Sequence, residues 1–246
     1  MRTANPALND STFTRVMVAP DAARMTLTGT VHRTGILLLV LTFSATWTWN
    51  RVAAGEIVQF GLWIGGAAMI GLVIALITVF RPTVAPWSTP LYALAEGVLL
   101  GGISAVLERQ FPGIVMQAVG ITFGTLFALL AAYRSGLIRA TENFKLGVVA
   151  ATGGIFVLYL FSWILGMFGV SMPFLHDSGP IGILVSLFIV VVAALNLVLD
   201  FDFIERGAES GAPKYMEWYA AFGLLVTLIW LYLEVLRLLT KVNSRR

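Results

Sequence analysis

From about residue 31 onward, long apolar stretches follow one another with only short polar links between them. Spans are predicted at about 31 to 49, 57 to 80, 90 to 107, 114 to 133, 146 to 169, 180 to 200 and 218 to 240. Each approaches the roughly 20 apolar residues with which a helix crosses about 30 Å of hydrocarbon. The links run from Asn50 to Glu56, Arg81 to Ser88, Glu108 to Pro112, Arg134 to Lys145 and Ser171 to Gly179, with the longest, Phe201 to Glu217, also the most acidic. None leaves room for a globular catalytic domain. The predicted fold is therefore all-α, a polytopic membrane protein with seven transmembrane helices in one bundle. Residues 30–246 form a single membrane domain behind a polar tail at 1–29, which lacks the compact apolar stretch and small-residue cleavage site of a signal peptide.

The basic residues predict an orientation. With the tail in the cytoplasm, Arg2, Arg15, Arg24, Arg33, Arg81, Arg134, Arg139, Lys145, Arg206 and Lys214 fall on that side, and only Arg51 and Arg109 face out before the C-terminal tail. Loops rich in Lys and Arg stay in the cytoplasm, so the N-terminus is expected inside. Seven spans then export Lys241, Arg245 and Arg246, which the same rule disfavours; a re-entrant last segment is the alternative to seven full crossings. Small residues recur four apart at Gly61 and Gly65, Gly97 and Gly101, and Gly120 and Gly124, with a further run Gly147, Ala150, Ala151, Gly154. Such faces let helix backbones approach closely in lipid. Packing within the bundle is expected of them before dimerisation, and a monomer is expected. Trp47, Trp49, Trp87, Trp163 and Trp218 lie near span ends, where interfacial anchors belong.

Composition sharpens this picture. The 246 residues are 58% apolar and 12% charged, against roughly 25% charged in a soluble domain. The lipid bilayer is the expected partner, and the net charge of +3 is too scattered to indicate nucleic acid. There is no cysteine, which excludes disulfides, thiolate metal sites and a cysteine nucleophile.

Ionisable groups inside a span cost several kcal/mol unless they face partners or water, so each is a functional candidate. Glu96 lies about six residues into the third span, one turn after Tyr92, whose hydroxyl could satisfy it. Asp200 closes the sixth predicted span, with Asn196 one turn earlier on the same face and Asp202 about 160° away, where a cap or solvated helix end is expected. Glu234 is inside the seventh segment. Its rival roles are local neutralisation by Arg237 at i+3 and a meeting with Asp200 across the bundle. Two carboxyls that meet in a low-dielectric bundle share a proton and release it stepwise as pH rises. Ionised, they offer oxygen ligands to a hard cation such as Ca²⁺.

Leu199-Asp200-Phe201-Asp202-Phe203-Ile204, Leu231-Tyr232-Leu233-Glu234, and Leu91-Tyr92-Ala93-Leu94-Ala95-Glu96-Gly97-Val98-Leu99-Leu100 together resemble the Bax inhibitor-1 family in its bacterial YccA-like and YetJ-like branch. The order and spacing carry the resemblance, which covers nearly the whole chain. It implies a seven-helix, multi-pass protein of the bacterial cytoplasmic membrane that passes Ca²⁺ as a pH-sensitive leak. A pair of aspartates on the last two helices is its sensor, and an arginine of the second helix can interact with them. Carried over, Asp200 takes the first aspartate position, Glu234 the second and Arg81 the arginine, with Ca²⁺ at Asp200 and Glu234 as permeant or bound ion and no other cofactor. Glu234 departs from the usual aspartate, and Glu217 is the alternative partner of Asp200. The acidic residue that relatives carry within the second span has no match between Gly61 and Phe80. YccA-like relatives are also tied to a membrane-bound quality-control protease, so a non-enzymatic regulator that binds such a partner through the tail is the second functional reading.

Enzymatic activity is not expected. H-E-x-x-H and G-x-S-x-G are absent. His32 and His176 are predicted near opposite membrane faces, and Ser104 has no evident histidine partner.

Overall fold

The structure, a computed structural model, describes residues 24–169 and 177–245. Residues 1–23 of the expected tail, and His176, lie outside them. Among the described residues there are seven helices long and apolar enough to cross a membrane: α1 (Leu27–Ala53), α2 (Ile57–Phe80), α3 (Ala85–Gln110), α4 (Ile114–Arg134), α5 (Glu142–Met167), α6 (Pro180–Glu209) and α7 (Met216–Asn243). A 3-10 turn, Pro82–Val84, joins α2 to α3. No strand occurs among these residues, only an isolated antiparallel bridge between Arg24 and Pro213. The chain is an integral, multi-pass membrane protein.

Local chemistry explains where the helices begin and end. Thr26 caps α1 by accepting from Gly29 N at 3.0 Å, which starts that helix four residues before the hydrophobic pattern does. At its far end Arg109 donates to the carbonyls of Val52 (2.6 Å) and Ala53 (2.8 Å), satisfying groups a helix terminus leaves open. Pro86 opens α3, where its missing N–H costs nothing. Gly113, at φ 87°, supplies the left-handed turn into α4 that other residues resist. Thr141 caps α5 through Phe144 N at 3.3 Å.

Two expectations are corrected. Asp200 does not close α6, and Asp202 is not its cap: the helix continues to Glu209, because Phe201 and Phe203 are buried and Lys145 neutralises Asp202 at 3.1 Å. The expected link from Phe201 to Glu217 shortens to the few residues between α6 and α7. The last segment is one unbroken helix of 28 residues, about 42 Å long and sufficient for a full crossing.

The chain divides into two compact units. In the first, residues 24–112 with Phe203–Val226, α1 packs tightly on α3. A Cβ at Gly97 would strike Ser44 Oγ and the Leu41 carbonyl, and one at Gly101 the Ala45 carbonyl, so these glycines exist for helix contact within the unit. Gly61, Gly65, Gly120, Gly124, Gly147 and Gly154 meet nothing within 4 Å and face outward. In the first unit Met25 N also donates to Ala212 O at 2.7 Å. Val52 and Ala105 form a small core with Trp49, Ile64 and Val106. The second unit, Gly113–Asp202 with residues 227–245, holds α4, α5, most of α6 and the latter part of α7. Its core centres on Ile155, Ile189 and Val192.

Candidate functional site

The second unit contains the most deeply buried acid of α6. Asp200 is 1% exposed. Its carboxyl is hydrogen-bonded by the side chain of Thr227 on α7, and Oδ2 has no hydrogen-bond partner. No cation of its unit is an ion-pair partner among the described residues. A hydrogen bond to a charged group is worth about 1.5–3 kcal/mol, whereas an ionised aspartate at the centre of a spanning helix costs roughly 2.5–3.5 kcal/mol. One hydroxyl leaves the second oxygen of an ionised carboxyl here without a donor. The group is at ease with a proton on it or with a cation beside it.

Glu234 is held elsewhere. Tyr159 OH on α5 donates to its two oxygens at 3.0 and 3.1 Å. Arg237 lies 3.5 Å from Oε1, donates to Tyr159 OH, and stacks over the Tyr159 ring at 4.9 Å. The local neutralisation by Arg237 is thus present, completed by a tyrosine from another helix. Thr227 and Glu234 are seven residues apart on α7, about 10 Å along its axis, so Asp200 and Glu234 do not form the expected carboxylate pair. Among the described residues no three acid or imidazole side chains converge to hold a metal, and a Ca²⁺ seat shared by Asp200 and Glu234 is not what this geometry offers.

The neighbours of Asp200 on α6 diverge to different partners. Asn196 donates to Thr152 Oγ1 of α5 and to Val192 O, each at 2.8 Å. Asp202 meets Lys145, a lysine only 5% exposed, which also contacts Glu142 at 3.2 Å. Nearer the end of α7, Lys241 Nζ donates to Gly182 O at 3.0 Å and Ser186 Oγ at 2.8 Å.

In the first unit Glu217 is fully buried and well supplied with donors. Its Oε1 accepts from Thr26 N at 3.1 Å, Thr26 Oγ1 at 2.9 Å and Lys214 Nζ at 2.7 Å. Arg33 Nε stands 3.9 Å from Oε2, over the Trp218 ring. A carboxylate at the start of α1 also suits the positive end of that helix. Glu217 therefore serves as a clasp between α1 and the α6–α7 connection. Glu96 is half-buried on α3; Tyr92 hydrogen-bonds it as its spacing foretold. The carboxylate lies on Gly71 of α2, where a Cβ would stand 2.9 Å from Oε1. The Tyr92 ring meets Phe222 edge-on at 5.0 Å. Arg81 is exposed at the end of α2, and His32 is exposed on α1.

Sequence reasoning missed Thr227, Tyr159, Thr152 and Lys145. Nothing marks Thr227, since a lone threonine in a span usually bonds its own helix. The other three are the only polar side chains between Lys145 and Tyr159 and recur every seven residues, a signal that was readable.

No curated protein and no solved structure matches the chain. A family model described as Bax inhibitor 1 like matches residues 5–244, nearly the full length and all seven helices, and the chain belongs to the Bax inhibitor 1-like family.

Proposed function

We propose that this protein is a pH-sensitive cation leak, with Ca²⁺ as the ion, and that Asp200 is its proton-responsive group. The observation that carries this reading is the carboxyl of Asp200, buried in a membrane helix with one oxygen unpartnered and a single hydroxyl for support. Such a group changes its surroundings when it gains or loses a proton, because its ionised form needs a compensating cation. Family membership supports the same reading. The sensor proposed here differs from a paired-aspartate device: the group facing Asp200 is the Thr227 hydroxyl, so one carboxyl titrates. No enzymatic step is proposed.

The same proposal puts the N-terminal side in the cytoplasm of a bacterial inner membrane. Arg24, Arg33, Arg81, Arg134, Arg139, Lys145, Arg206 and Lys214 lie in or beside the start of α1 and the α2–α3, α4–α5 and α6–α7 connections, and Arg51 and Arg109 beside the α1–α2 and α3–α4 connections, the alternation expected of a cytoplasmic N-terminal side. The test is Ca²⁺ entry into liposomes containing the purified protein, measured from about pH 6 to about pH 8. Flux above that of empty liposomes, changing with pH, is expected. Flux equal to that of empty liposomes at every pH contradicts the proposal.

A further inference from the structure

We infer that Glu96, in the first unit, is a proton-binding site separate from Asp200, open to hydrocarbon at the seam of α2 and α3 and keeping its proton at neutral pH. It is the twelfth of the 26 residues of α3, about 16 Å from one end of that helix and about 21 Å from the other. That places it near the middle of the span. Its carboxyl lies on Gly71 of α2, where a Cβ would stand 2.9 Å from Oε1, yet the residue is only half-buried. The exposed side chains beside it, Ile70 and Leu72 on α2 and Leu94 on α3, are apolar, so the uncovered part of Glu96 looks onto hydrocarbon and not water. The other acids at membrane depth are closed off or paired. Asp200 and Glu234 are 1% and 2% exposed and Glu217 is fully buried, while Asp202 is held by Lys145.

No charge stands opposite Glu96 to hold it ionised. On its own helix the Tyr92 hydroxyl is its hydrogen-bond partner. From Gly61 to Phe80, α2 carries no ionisable residue. α1 meets α3 one residue further on through Leu41, Ser44 and Ala45 and has no ionisable residue between Arg33 and Arg51. From α7, Phe222 meets the Tyr92 ring at 5.0 Å, with Tyr219 behind it at 6.4 Å, and tyrosine is uncharged at neutral pH. Glu234 and Glu217, by contrast, each have a cation within 4 Å, Arg237 at 3.5 Å and Lys214 at 2.7 Å. A carboxylate offers about four lone-pair sites, and one hydroxyl serves one of them. The protonated form carries no charge into hydrocarbon, where a charge is costly. Helix packing accounts for the seat on Gly71 but not for an uncovered, cation-free carboxyl at mid-depth.

A protonated carboxyl that faces lipid is open to a lipid-soluble carbodiimide. The carboxyl proton passes to a carbodiimide nitrogen, the carboxyl oxygen bonds to the central carbon, and one C=N becomes a single bond. The acyl group then shifts from oxygen to nitrogen and leaves a stable acylurea, with no leaving group and no oxidant. The test is dicyclohexylcarbodiimide labelling of the full chain in liposomes, read by peptide mass spectrometry. Glu96 is expected to label at least about tenfold faster than Asp200, Glu234 or Glu217, equivalent to ~1.4 kcal/mol in barrier. A cationic, water-soluble carbodiimide is expected to leave it unlabelled, and Glu96→Gln to remove the adduct. From about pH 6 to about pH 8 the rate should hold level, whereas a carboxyl of ordinary acidity loses its reactive form about tenfold per pH unit. Labelling of Glu96 no faster than Asp200, equal labelling by both reagents, or a rate that falls tenfold or more across that range overturns the inference. Since no flux is measured, the leak proposed above stands or falls separately.

Discussion

The side chain of Thr227 on α7 hydrogen-bonds the carboxyl of Asp200 on α6, so this buried acid of the second unit faces a hydroxyl and not a second acid. The difference matters for titration. Two interacting carboxyls release protons in two coupled steps that belong to the pair, whereas a carboxyl facing threonine has only its own proton to exchange.

Replacing the hydroxyl by a carboxyl is the direct check. Thr227→Asp places two acids where one stands now. Its pH profile of Ca²⁺ flux is expected to broaden or split into two steps, compared with a single-proton curve for the wild type. A wild-type profile that already needs two coupled protons, or a Thr227→Asp profile identical to it, contradicts the single-carboxyl sensor.

Glu217 and Glu142 both contact lysine, yet their environments predict different costs. Glu217 is fully buried and accepts three hydrogen bonds; breaking a buried pair typically costs about 3–5 kcal/mol. Glu142 is 62% exposed, and its lysine keeps Asp202; exposed pairs contribute about 0–1 kcal/mol. At ~2–4 °C per kcal/mol for a chain of this size, Glu217→Ala is expected to lower the unfolding midpoint in detergent by roughly 6 °C or more. Glu142→Ala is expected to move it by only a few degrees. Equal shifts would remove the clasp assigned to Glu217.

The glycines divide in the same manner. Gly101→Ala drives a methyl into the backbone carbonyl of Ala45, and overpacking costs typically about 1–3 kcal/mol. Gly120→Ala meets nothing and adds helix propensity worth up to ~1 kcal/mol. Thermal unfolding of the two variants should move in opposite directions. A Gly101→Ala protein as stable as wild type would mean that α1 and α3 are not in the close contact described.

Much of the fold was legible because hydrocarbon imposes a simple length rule. Six of the seven predicted spans fall within a helix, α2 was placed to the residue, and the fifth runs two residues past the end of α5 at Met167. Errors fell where polar residues find partners out of sequence. Asp202 looks like a helix end until Lys145, 57 positions away, neutralises it. Thr26 starts α1 early by capping, which hydropathy does not register. At the candidate site, the i,i+3 and i,i+4 contacts Glu234–Arg237 and Tyr92–Glu96 were readable from helix geometry alone. The match of Asp200 to Thr227 was not, because which residues of α6 and α7 lie opposite each other depends on how the helices slide along one another. Choosing Glu234 by its charge chose the right helix and the wrong turn of it.

Asp200→Asn in the Ca²⁺-flux assay tests the central claim most directly. Asparagine keeps the shape and an acceptor for Thr227 but cannot ionise, so it mimics the protonated state. Flux through the variant is expected to hold, from about pH 6 to about pH 8, at the level the wild type shows at the acidic end. A variant whose flux still follows pH as the wild type does would contradict the assignment of Asp200 as the proton-responsive group.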